Sequence, residues 1–90
     1  MRILVVEDES KISGFLRRGL SEEGHRVDVA GNLAQARAEA LTQTYDLLLV
    51  DRMLPDGDGL SLVKEMRKNG DITPAICLTA RDQVEDKVEG

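Results

Sequence analysis

Ninety residues make one domain, on the small side of the usual range, and 41% hydrophobic residues suffice for a core. Acids outnumber bases 17 to 12, and the net charge of -5 speaks against nucleic-acid binding or a polybasic membrane contact by this chain. No apolar run approaches the ~20 residues of a bilayer span, the first acid (Glu7) arrives too early for a secretory signal, and a single cysteine excludes an internal disulfide, so the expected location is the cytoplasm.

Residues 2–6 predict a first strand, with Ile3-Leu4-Val5-Val6 as an unbroken apolar run. Ser10 is placed to cap a helix from Lys11 to about Glu23, whose Ile12, Phe15, Leu16 and Leu20 share one face, and Gly24 is placed to end it. Arg26 to Ala30 predicts an edge strand. Asn32 is placed to cap a second helix with Leu33, Ala36, Ala40 and Leu41 inward. Asp46 to Val50 predicts a third strand, and a turn rich in Pro, Asp and Gly follows. A third helix is expected from about Gly59 to Lys68, with Leu62, Val63 and Met66 inward and Asn69-Gly70 at its end. Pro74 precedes a fourth strand, Ala75 to Leu78, in which Cys77 reads as a core residue. Thr79 stands at its end, and Asp82 is placed to cap a fourth helix.

Apolar runs without alternation suit strands buried on both faces. Alternating strands and helices then predict an α/β parallel sheet, helices on both faces, with right-handed crossovers. Ligands of such sheets bind at the carboxyl ends of the strands. Glu7 and Asp8 follow the first strand and Asp51 follows the third. Three carboxylates in one crevice repel one another unless a cation joins them, and a hard divalent cation is the natural neutraliser. His25 is the sole histidine, on the opposite side from the acids, and has no partner for a metal site.

Three ordered segments resemble the receiver domain of bacterial two-component response regulators. They are Ile3-Leu4-Val5-Val6-Glu7-Asp8-Glu9, then Leu49-Val50-Asp51 with Met53-Leu54-Pro55-Asp56-Gly57-Asp58-Gly59, then Leu78-Thr79-Ala80-Arg81-Asp82. The Met-Leu-Pro turn and the Thr-Ala-Arg-Asp segment look most like the OmpR-like transcription-factor branch. The resemblance implies a flavodoxin-like (CheY-like) doubly wound sheet of strand order 2-1-3-4, with a fifth strand when complete. It implies that Asp51 accepts a phosphoryl group from a sensor histidine kinase, and that Mg²⁺ (or Mn²⁺) is held by Asp8, Asp51, the Met53 backbone carbonyl and, through water, Glu7. Thr79 would hydrogen-bond the phosphoryl group. Arg17 and Arg18 would be a solvated face or part of the kinase-docking surface.

The family pattern continues with a fifth strand ending in Lys and a fifth helix. The 90 residues stop before both, so the expected unit is an incomplete receiver spanning 1–90 without an output domain. Strand four would then be an open edge, and pairing or swapping between copies is expected. No turnover enzyme is expected, since aspartyl-phosphate phosphatases carry a second Asp two residues after the nucleophile and this chain has Met53 there. A receiver-like module that binds partners without being phosphorylated is the alternative.

Overall fold

Ile3, Leu4, Val5 and Val6 are all essentially inaccessible to solvent, as a strand covered on both faces requires. The computed structural model describes residues 1–78. They run β1 (Arg2–Val6), α1 (Ser10–Glu22), β2 (Arg26–Ala30), α2 (Leu33–Thr42), β3 (Leu47–Val50), β4 (Met53–Leu54), β5 (Gly57–Asp58), α3 (Leu60–Lys68) and β6 (Ala75–Cys77). Four strands form one parallel sheet in the order β2-β1-β3-β6, while β4 and β5 pair as a small antiparallel hairpin. The expected order 2-1-3-4 is therefore met, with β6 as the expected fourth strand. Thr79 and the helix expected after Asp82 lie outside the described residues.

Alternate residues of the central strands feed two cores. Leu4, Val6, Leu48 and Val50 pack with Leu33 and Ala36 of α2 and with Leu62 and Met66 of α3. Ile3, Val5, Val27 and Leu49 form a smaller core, against which Leu16 and Leu20 of α1 pack. At the amino-terminal edge of the sheet, Tyr45 donates its hydroxyl to Asp28 at 2.7 Å, and Arg2 lies 5.2 Å from the centre of the Tyr45 ring. His25 also sits at that edge, its Nδ1 3.0 Å from the amino terminus of Met1. Among the described residues no helix is long and apolar enough to cross a membrane.

Four local expectations are corrected. Ser10 is the first residue of α1 and Glu9 precedes it as the cap, without a capping side-chain bond. The inward stripe of α1 is narrower than its apolar residues suggested: Phe15 is 72% exposed and Ile12 is exposed, whereas Ser13 is buried. A small Ser brings helix and sheet close, and its hydroxyl is satisfied by the Ser10 carbonyl at 3.3 Å. Leu41 is exposed because it lies about 100° round α2 from Ala40, which still packs on the core with Leu33 and Ala36. Cys77 is exposed because β6 is the outer strand of the described sheet, not an inner one.

Candidate functional site

Parallel register places the ends of β1 and β3 side by side, Val6 opposite Val50. The ladder runs one residue further. Asp51 N–H donates to the Val6 carbonyl and Glu7 N–H to the Ala30 carbonyl, both at 2.9 Å. The chain leaves both strands at the same edge, so Glu7, Asp8 and Asp51 converge. One carboxylate oxygen from each lies within 4.8 Å of the others. Twice a Mg–O distance of ~2.1 Å is about 4.2 Å, so a slight side-chain rotation, or a water in front of Glu7, brings the three to a common ion. All donors are hard oxygens, which fits Mg²⁺ or Mn²⁺ and not a thiolate-seeking metal.

The electrostatics point the same way. Glu7 is only 4% exposed. Its pKa is raised from 4.5 to about 7, chiefly by burial and further by the negative Asp51 beside it, against the Glu9 N–H that donates to its carboxylate at 3.0 Å. A raised pKa means that the metal-free native state keeps this proton after the unfolded chain has lost it. That stabilisation is full below about pH 4.5 and is lost as pH rises through about 7. Urea midpoints of the metal-free protein should therefore be lower at about pH 7.5 than at about pH 5, and Glu7→Gln should flatten that difference. Asp56, Asp58 and Asp71 have lowered pKa values and add the opposite slope only at more acidic pH. Equal midpoints for the parent chain would show that Glu7 ionises as an ordinary surface carboxyl.

The loop after β3 holds Asp51 in place. Met53 N–H donates to Asp51 Oδ1 at 3.0 Å, which turns the carboxylate toward the hairpin. Arg52 pairs with Asp58 at 3.0 Å, and Gly59 N–H returns to the Arg52 carbonyl at 3.1 Å. Asp58 Oδ1 also accepts from the N–H of Leu60, the first residue of α3, at 2.9 Å. Gly59 crosses so close to the strand end that a Cβ there would stand 2.1 Å from the Asp51 carbonyl oxygen. Asp56 reaches across to α2, where its two oxygens accept from Leu33 N–H at 2.8 Å and Ala34 N–H at 3.1 Å.

Glu7, Asp8 and Asp51 are thus brought together, Met53 meets Asp51 through its N–H, and Thr79 lies outside the described residues. Sequence reasoning passed over Asp56 and Gly59. Asp56 carried only the signal of a turn residue, since its partners lie 22 and 23 positions upstream. For Gly59 the available signal was its place at the close of a Pro/Asp/Gly turn beside a strand end.

Comparison with known proteins agrees with this geometry. The response regulator receiver domain model matches residues 3–90. The transcriptional regulatory protein DltR of Streptococcus agalactiae is 46% identical over 90 residues, covering 100% of this chain and 40% of that protein. The chain therefore spans about two-fifths of the length of this curated relative. The receiver domain of the Francisella response regulator 1452 superposes with a TM-score of 0.86 at 38% identity, covering 98% of this chain and 73% of that one. The response regulator TrrA matches in two solved forms. One is the Thermotoga maritima protein with Mg²⁺ and BeF (TM-score 0.73, 28% identity, 98% of this chain and 96% of that one). The other is the complex of TrrA with the histidine kinase ThkA (TM-score 0.80, 39% identity, 88% and 68%). The chain belongs to the response regulator receiver domain family.

Proposed function

We propose that Asp51 accepts a phosphoryl group from a phosphohistidine of a sensor histidine kinase, in a two-component pathway that controls a DNA-binding output. The observation that carries this reading is the convergence of Glu7, Asp8 and Asp51 within 4.8 Å at adjacent strand ends. Support for the partner and the ion comes from TrrA, solved with a histidine kinase and with Mg²⁺ and BeF. Support for the output comes from DltR, a transcriptional regulatory protein.

Asp51 is the nucleophile. A carboxylate oxygen forms the new O–P bond as the P–N bond to the kinase imidazole breaks, and the imidazole keeps the electron pair and takes a proton from solvent. Met53 N–H, at 3.0 Å, holds the attacking carboxylate in one orientation. Asp8, Asp51, the Met53 carbonyl and, through water, Glu7 would hold Mg²⁺ or Mn²⁺. When bound, the cation cancels the repulsion between the carboxylates and the incoming phosphoryl oxygens. Thr79 is the proposed hydroxyl donor to a phosphoryl oxygen. Met53 at the second position after Asp51 offers no acid to assist hydrolysis, so the product persists and turnover is not the role.

Incubation with acetyl phosphate and Mg²⁺, followed by intact-mass measurement, tests the reading. The expected result is the gain of one phosphoryl group, lost when the divalent cation is chelated. A chain that stays at its starting mass with the cation present would instead be a receiver-like module that acts by binding alone.

A further inference from the structure

The N–H groups of Leu33, Ala34 and Gln35 open α2 and have no acceptor within the helix. Asn32 Oδ1 accepts from Gln35 at 2.8 Å, as a local cap should. The other two are taken by Asp56, from the tip of the β4–β5 hairpin, at 2.8 and 3.1 Å. The Leu33 N–H holds the Asp56 carboxyl below the usual carboxylate range, so the grip is ionic at neutral pH and sits at the positive end of the helix dipole. The hairpin also lies flush on α2, since a Cβ at Gly57 would come within 2.9 Å of Leu33 Cδ1.

This contact joins the two sides of the acidic site. The start of α2 follows β2 directly, and the last residue of β2, Ala30, accepts from Glu7 N–H at 2.9 Å. The hairpin follows Asp51 directly, and its Met53 N–H binds Asp51 Oδ1. Glu7 is thereby tied to one end of the clamp and Asp51 to the other. We propose that Asp56 is a positioning residue for the phosphoacceptor: by gripping the first turn of α2, it sets Asp51 and Met53 against Glu7 and Asp8. The proposal rests on the function given above for Asp51.

Asn32→Ala is the control, because it uncaps the same helix without touching the hairpin. Both Asp56→Ala and Asn32→Ala should lower the thermal midpoint. Only Asp56→Ala should speed amide hydrogen exchange at Met53 and Gly59 in the metal-free protein, by about tenfold relative to Asn32→Ala. In a Mg²⁺ titration the dissociation constant of Asp56→Ala should likewise rise about tenfold, with Asn32→Ala unchanged. Asp56→Asn keeps one acceptor oxygen and should fall between the parent and Asp56→Ala. It also replaces Asp56→Ala should that variant not fold. Equal exchange at Met53 and Gly59 in the Asp56 and Asn32 variants would reduce Asp56 to a helix cap and overturn the proposal. If the parent chain bound no Mg²⁺, the phosphoacceptor reading would fail, while the exchange comparison would still decide whether Asp56 positions the loop.

Discussion

Gly59→Ala should leave the chain unfolded or lower its thermal midpoint by roughly 15 °C or more. The new methyl group would lie 2.1 Å from the Asp51 carbonyl oxygen and 2.4 Å from Val50 Cγ1. A side chain can rotate away from such a contact, but a strand carbonyl cannot. Nor can the loop slide: Gly59 N–H is bonded to Arg52 O, and Gly59 O accepts from Leu62 N–H, each at 3.1 Å. Overpacking against mobile side chains costs about 1–3 kcal/mol. Against backbone the cost lies at or above the top of that range, out of a total of roughly 5–13 kcal/mol for a domain of this size. Gly19→Ala is the matched control. It lies in α1 with nothing within 4 Å of the new Cβ, and should raise stability by up to about 1 kcal/mol through helix propensity. Thermal melts followed by circular dichroism measure both. A Gly59→Ala midpoint within a few degrees of the parent would mean that the loop can lift off Asp51.

The second large effect has two signs. Asp51→Asn should abolish phosphoryl uptake from acetyl phosphate and weaken Mg²⁺ binding at least tenfold, yet stabilise the metal-free protein near neutral pH. An amide is not a nucleophile toward phosphorus and brings no charge to a cation. The same neutrality removes a negative neighbour from Glu7, whose raised pKa Asp51 supports both by its charge and by a hydrogen bond. Glu7 then ionises at lower pH, and less stability is lost on the way to neutrality. A gain of roughly 1 kcal/mol, about 5 °C for a chain of this length, is expected. The Asn side-chain oxygen can still accept from Met53 N–H, so the loop is not released. A phosphoryl group still gained by Asp51→Asn would mean that another residue is the acceptor. A lowered midpoint without metal would mean that the Asp51 charge is compensated by the protein itself.

The features legible in the sequence share a cause: they depend on local pattern and on chain order. Unbroken runs such as Ile3 to Val6 mark strands covered on both faces, and alternation with helices dictates a parallel sheet, so the convergence of Glu7, Asp8 and Asp51 follows from strand ends alone. What escaped depends on rotation and on distant partners. Hydrophobicity shows that α1 has an apolar side but not which of two adjoining stripes meets the sheet, and the buried Ser13 in place of Phe15 turns on close approach, not on apolar character. Cys77 sits in a run that looks central, yet exposure depends on which strands lie beyond it. Asp56 has the composition of a turn, and its role comes from a helix more than twenty residues earlier.

Because β1 pairs with β3, Ile3 lies beside Leu47 and Val6 beside Val50. Asp51 and its acidic neighbours Glu7 and Asp8 therefore sit more than forty positions apart in the chain and meet only through long-range closure, a slow and non-local folding event. A chain still emerging from the ribosome carries every one of these groups in an inert form until that closure is made. On the proposed function, phosphoryl uptake at Asp51 would report on topology: a labelled molecule would be one whose sheet has already closed.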